Sequence, residues 1–352
     1  MKGALRLVRA SDWWLYHLLP LMAAVYASIA YFAVPPRAAY PALARLLASI
    51  ICIAAYSHVV NDIGDADQDA AAGKPQRWRG ISLGGRAAVA IALLVAGLAV
   101  WIGAAISAWT AVLLIVIAAL QPIYVLPPLR MKERGVWGIV VDSLHTHALP
   151  TLFCVAVFAD AMRASVWRPF PMALTVWSFL VGVRGIIYHQ RIDEANDRCA
   201  GVNTFVTAHG SEAAGTLARR LVFPAELAAL GAVAVSLYGT APVVVIVFAV
   251  YALVMQVLRR ANIWQATFND PAPATRDAYI PLLAFYRSWP AFAFAIVLVV
   301  NDHRFVPLLL LHSVIFAAPI LRQAEDLRLY LWFYGQSVAS RVWHRFTASG
   351  GP

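Results

Sequence analysis

Charge is what this chain has least of: Asp, Glu, Lys and Arg together make up 13% of its 352 residues, about half the share carried by a soluble globular domain. That shortage excludes an ordinary soluble fold, which keeps a charged surface toward water. Cysteine is scarce as well. Cys52, Cys154 and Cys199 form neither a Cys-x-x-Cys pair nor a Cys/His cluster, which excludes a disulfide framework and a zinc site of the usual spacing. The apolar runs also lack the residue-by-residue alternation of a membrane barrel strand.

Apolar sequence is what the chain has in excess. Hydrophobic residues make up 61% of it, gathered into runs of about 20 residues, the length at which a helix crosses roughly 30 Å of hydrocarbon. The pattern predicts an all-α integral membrane protein with ten candidate spans, at 13–34, 40–60, 84–106, 108–126, 137–159, 169–190, 215–237, 241–258, 281–300 and 305–321. The tenth is short, with Pro307 and Pro319 near its ends. The apolar stretch behind Lys2, Arg6 and Arg9 is of spanning length, so it is read as a first helix and not as a cleaved signal.

Basic residues fall mainly in one set of alternate connections, such as Arg77 and Arg79 after the second span and Lys132 and Arg134 after the fourth, whereas the other set holds Arg37, Arg163, Arg168 and Arg304. The asymmetry assigns the first set and both termini to the cytoplasmic side of a bacterial inner membrane. It also accounts for the net charge of +10 without a nucleic-acid partner. Residues 1–321 then form one transmembrane domain. Residues 322–352, which mix Leu331, Trp332 and Phe333 with arginines, form an amphipathic tail on membrane lipid.

Two polar interruptions stand out. The first, Asn61-Asp62-Ile63-Gly64-Asp65-Ala66-Asp67-Gln68-Asp69, follows the second span, and helical spacing puts Asn61, Asp65 and Asp69 in one stripe. The second, His189-Gln190-Arg191-Ile192-Asp193-Glu194-Ala195-Asn196-Asp197, follows the sixth. A shift of 128 positions carries Asp65, Asp69, Ala72 and Gly73 onto Asp193, Asp197, Ala200 and Gly201, and Asn61 onto His189. Such a repeat predicts duplicated halves, near 1–126 and 137–258, whose clusters face one cavity. Gly73 and Gly201 are expected to end the cluster helices.

A self-repelling carboxylate stripe is relieved by cations, and Mg²⁺ is commonly held by a few carboxylates together with substrate phosphates. Two facing pairs can therefore grip a diphosphate through Mg²⁺, with Lys74, Arg77 and Arg79 on the remaining phosphate oxygens.

The residues quoted, together with the Tyr124–Arg134 segment and its Pro127-Pro128-Leu129-Arg130, make the chain resemble the UbiA-type intramembrane prenyltransferase superfamily. The resemblance implies a nine-helix bundle, here with a tenth short span, and a central cavity open to the cytoplasm. It implies transfer of a prenyl group from an isoprenoid diphosphate to an aromatic or lipid-soluble acceptor, through an allylic cation and with pyrophosphate release. It further implies that Asn61, Asp65, Asp69, Asp193 and Asp197 hold metal and diphosphate, with Lys74 and Arg77 as phosphate contacts. Asp62 belongs to the motif but points off the stripe, and Arg130 joins the substrate-binding candidates. After the first cluster, Lys74-Pro75-Gln76-Arg77-Trp78-Arg79-Gly80 departs from the basic-Pro-Leu-x-Ser-Gly run of many relatives with aromatic acceptors.

Beyond those motifs, Asp142, His145 and His147 lie in the fifth span, where ionisable groups are functional candidates. Asp142 and His145 are taken as acceptor-side residues, and a neutral imidazole suits proton removal. His189, standing where Asn61 does in the other half, is a further diphosphate candidate. Tyr124 and Tyr188 can face a carbocation with their rings. Neighbouring chemistries on the same scaffold are phosphoribosyl transfer to a polyprenyl phosphate and terpene cyclisation. A transporter would need acidic residues near the bilayer midplane, and the Asp-Gly-x-x-Ala-Arg run of a CDP-alcohol phosphotransferase is missing.

Overall fold

The computed structural model describes residues 17–71, 73, 77–260 and 279–348. The elements are helices throughout: α1 (Leu19–Tyr31), α2 (Pro36–Gly64), α3 (Ala66–Ala71), α4 (Leu83–Ala99), α5 (Ala108–Val125), α6 (Val136–Ala161), α7 (Pro169–Cys199), α8 (Phe205–His209), α9 (Ser211–Tyr238), α10 (Pro242–Arg260), α11 (Tyr279–Asn301), α12 (Val306–Ile315) and α13 (Ala317–Ala348). Five of these, α2, α5, α6, α7 and α9, are long and apolar enough to cross a membrane among the described residues, and α1, α4, α10 and α11 contain shorter apolar helices.

Most expected spans coincide with these helices, and the tenth does not. The chain bends by 69° between α12 and α13, so residues 305–321 are no single straight span. Pro319 supplies the reason. It has no N–H to bond back along a helix, and it is accommodated in the first turn of a new one. The amphipathic segment expected from residue 322 therefore belongs to a helix that starts at Ala317.

Packing follows residue size and lipid exposure. α2 lies along α4, α7 along α9, and α1 along α11. α6 is enclosed in the middle, with every residue from Thr151 to Ala159 buried. Large apolar side chains on the outside, such as Ile102, Val235 and Val314, are exposed. In water they would be a liability, whereas lipid accepts them.

α6 and α9 each contain one wider π-helical turn, at Leu144–Ala148 and Ala218–Val222. Leu149 N–H bonds to Leu144 O, and Phe223 N–H bonds to Ala218 O, in each case five residues back. Pro150 and Pro224 follow directly. A proline cannot donate to the preceding turn, and the freed carbonyls favour the local widening.

One charged contact sits deep in the bundle. Arg184, midway along α7, donates from Nε and Nη2 to Glu226 of α9 at 2.5 and 2.9 Å. Tyr286 of α11 donates its hydroxyl to the same carboxylate at 3.2 Å. Arg184 is 1% exposed and Glu226 0%. An acidic residue thus does lie inside the membrane domain, hidden from sequence reading within an apolar run.

Candidate active site

The first cluster sits where α2 gives way to α3. Gly64 closes α2 against α5: a Cβ there would come within 2.8 Å of the Val125 carbonyl oxygen, so only glycine allows this approach. The helical path nevertheless survives the junction, because Asp65 N–H bonds to Asn61 O and Asp69 N–H to Asp65 O, at 2.9 and 2.8 Å. The expected stripe of Asn61, Asp65 and Asp69 is thereby kept. The second cluster rides on α7, which runs without a break to Cys199. Beyond the clusters, Gly73 and Gly201 both adopt φ +67°, the left-handed conformation that lets each chain turn back.

Both clusters open on one cavity of about 1080 Å³. Its polar end is lined by Asn61, Asp65, Gln68 and Asp69 from one side and by His189, Asp193, Asn196 and Asp197 from the other. Its remaining wall is apolar, with Leu114, Ile117, Leu174, Val233, Phe248 and Phe294. Tyr124 lies within electrostatic reach of Asp65, Asp197 and Asp142 together, which ties the two clusters to the middle of the cavity.

The first cluster is already charge-compensated. Asn61 donates to Asp65 Oδ2 at 3.0 Å, Lys132 Nζ donates to Asp65 Oδ1, and Arg130 approaches the same oxygen at 3.8 Å. Arg130 is itself fixed by bonds to Gly64 O at 2.9 Å and Glu133 Oε1 at 2.6 Å. Burial alone would raise the Glu133 carboxyl; hydrogen bonds from Arg130 and Gln68, with the charges of Arg130 and Lys132, hold it below the ordinary carboxylate range. In the second cluster His189 Nε2 stands 3.2 Å from Asp193 Oδ2.

The expected residues separate into those on the wall and those behind it. Arg77, Asp142 and His145 line the cavity with the clusters. Asp62 is 8% exposed and turned away, accepting from Trp78 Nε1 at 3.1 Å and facing Arg77 Nη1 at 3.6 Å, so its contacts anchor the loop after α3. Arg130 stands behind Asp65. Lys74 lies outside the described residues. Lys132, counted in the sequence only as a loop charge, lines the cavity; its signal was its place in the Tyr124–Arg134 segment. Gln68, Gln121 and Asn196 were also missed, being polar residues without a motif of their own.

The donor set suits a hard divalent cation. Carboxylate and amide oxygens converge on one cavity end without a thiolate, as Mg²⁺ requires. Among the described residues no three His, Cys, Asp or Glu side chains gather closely enough to hold a metal unaided. That fits an ion whose remaining ligands are phosphate oxygens.

The fold and the site define a class of helical bundles with apolar spans of membrane-crossing length and two acidic helix ends on one largely apolar cavity. The sequence profile of the UbiA prenyltransferase family matches residues 18–270, and the chain belongs to that family. Among solved structures, it is similar to a UbiA homolog from Archaeoglobus fulgidus bound to DMAPP and Mg²⁺, with TM-score 0.57 and 16% identity over 85% of this chain and 99% of that one. A structure of a UbiA homolog from Archaeoglobus fulgidus bound to GPP and Mg²⁺ gives TM-score 0.55 and 18% identity, over 83% of this chain and 99% of that one. No match is found among curated proteins.

Proposed function

We propose that this protein ionises an isoprenoid diphosphate in a Mg²⁺-dependent reaction and directs the prenyl cation to an acceptor, releasing pyrophosphate. The observation that carries the reading is that Asp65 and Asp69 from one helix end, and Asp193 and Asp197 from another, line one cavity whose continuation is apolar. The Archaeoglobus homolog structures, with the same fold, hold DMAPP or GPP together with Mg²⁺.

In this reading Asn61, Asp65 and Asp69 hold metal on one side and Asp193 and Asp197 on the other. Bound there, Mg²⁺ supplies Lewis-acid polarisation of the diphosphate and neutralises its charge. Lys132 and Arg77 reach the phosphate oxygens, with Lys74 and His189 at the periphery. Asp62 and Arg130 orient that shell by fixing the loop after α3 and the Asp65 carboxylate. Tyr124 and Tyr188 present ring faces to the developing cation, which they stabilise without trapping it. The apolar wall takes the prenyl chain and keeps water from the cation. Asp142 and His145 belong to the acceptor side.

The frame for this chemistry is a nine-helix bundle of two duplicated halves in a bacterial cell membrane. The basic loops orient the polar cavity end to the cytoplasm, with α13 along the inner surface. Purified protein in lipid is incubated with farnesyl or geranylgeranyl diphosphate and Mg²⁺, and pyrophosphate is measured. Release that survives Asp65→Asn, Asp193→Asn and chelation of the metal would sink the reading.

A further inference from the structure

The cavity wall carries a second polar cluster, built on α5 and α6 and separate in sequence from both aspartate pairs. Its centre is Asp142 on α6, beside the Tyr124 hydroxyl and followed by Thr146, whose hydroxyl donates to the Asp142 backbone carbonyl at 2.5 Å. Beside it the π-helical turn re-aims the side chains that follow, a distortion that recurs at functional sites. His145 has both ring nitrogens engaged, Nδ1 with the Val141 carbonyl at 3.0 Å and Nε2 with the Gln121 side-chain amide at 2.7 Å. It is 6% exposed, with both nitrogens turned to protein oxygen atoms, so neither is presented to a ligand in the cavity. Asp142, by contrast, lines the cavity beside the Tyr124 hydroxyl and forms no ion pair with a described residue. It is the group on this wall equipped to receive a proton.

The charges around the cluster narrow what it accepts. The described cations lining the cavity are Arg77 and Lys132, which face the first aspartate cluster, and Arg184, which is committed to Glu226. An acidic acceptor would meet the Asp142 carboxylate with no cation to offset it. Ring faces are abundant instead: Tyr124 and His145 lie 5.2 Å apart between centroids, and His17 and His147 5.6 Å.

Resting on the prenyl-transfer reading, we infer that Asp142 is the proton acceptor for an uncharged hydroxyl-bearing aromatic acceptor bound against this wall. The C1–O bond of the isoprenoid diphosphate breaks, and its electron pair leaves with pyrophosphate. A ring carbon of the acceptor bonds to C1 as the hydroxyl proton passes to an Asp142 oxygen, giving a neutral dienone. The hydrogen on that carbon then leaves to water as a proton, and Asp142 returns its proton to the oxygen, restoring the aromatic hydroxyl and the carboxylate. Tyr124 orients the carboxylate from the side nearest the aspartate pairs.

The test pairs methyl 4-hydroxybenzoate with the free acid as acceptor probes, using farnesyl and geranylgeranyl diphosphate and Mg²⁺. Prenylated ring and free prenyl alcohol are quantified by mass spectrometry. Wild type is expected to prenylate the ester over the acid. Asp142→Asn should lower ring prenylation by about 100-fold, the scale of a lost general base, and raise the ratio of prenyl alcohol to prenylated ring. Asp142→Glu should recover part of the transfer, and retained Mg²⁺-dependent pyrophosphate binding shows that each variant is folded. Equal transfer by wild type and Asp142→Asn, a preference for the acid, or pyrophosphate release with neither ring prenylated overturns this inference alone. Absence of pyrophosphate release from wild type with either diphosphate overturns the prenyl-transfer reading, and this inference with it.

Discussion

The two acidic clusters share a sequence pattern and differ in their surroundings. Asp65 sits at a helix junction, gripped by Asn61, Lys132 and Arg130, with Gly64 pressed on Val125 beneath it. Asp193 rides on an unbroken helix, with His189 Nε2 3.2 Å from its carboxylate and more open surroundings. The four-residue spacing is thus common to both clusters, while their supports differ. Asp65 is held by three neighbouring side chains, whereas one contact among the described residues, to His189, holds Asp193.

Substitutions at equivalent positions can break or sharpen that contrast. Asp65→Asn and Asp193→Asn should each lower Mg²⁺-dependent pyrophosphate release by about 100-fold or more, the scale of one lost electrostatic stabiliser; steady-state release assays in lipid check this, and a cluster that tolerates the change is not part of the machinery. Lys132→Met removes a cation from the first cluster alone. It should raise the KM for diphosphate about tenfold, the worth of one charge-assisted bond, while Arg191→Met beside the second cluster should not.

The glycines divide the same way when read as thermal shifts in detergent. Gly64→Ala forces a Cβ onto a carbonyl and should destabilise by about 1–3 kcal/mol. Gly201→Ala meets no neighbouring atom within 4 Å and should cost about 1 kcal/mol, from its left-handed backbone alone. The smallest effect belongs to His189→Asn, which installs the residue of the first cluster in the second. A change in turnover under about threefold, within the reach of a single exposed contact, would mark the two positions as interchangeable.

How much of this was legible in the sequence follows from the range of the interactions. The spans and both clusters are local patterns, set by hydropathy and helical spacing, and α2, α5, α6, α7 and α9 appeared close to where they were expected. Gly73 and Gly201 were legible for the same reason, since a helix end leaves its mark within a few residues. Lys132 was not, because its partner Asp65 is 67 positions away and only the folded chain brings them together. Glu226 escaped notice inside an apolar run, its partner Arg184 being 42 positions away. Asp62 was placed off the stripe by helical spacing, but its partner Trp78, 16 positions away, is shown only by the folded chain. The bend between α12 and α13 was foreshadowed by Pro319, although a proline near a span end is compatible with either a stop or a restart.

The Arg184–Glu226 contact also constrains how the protein is made. Arg184 is synthesised 42 residues ahead of its carboxylate, so α7 emerges from the ribosome carrying a charge with no partner yet available. Leaving arginine alone at the centre of a bilayer costs about 2.5–3.5 kcal/mol on insertion scales. The cheapest route into lipid is therefore for α7 to wait at the insertion machinery until α9 arrives, and for the two helices to partition as a neutralised pair.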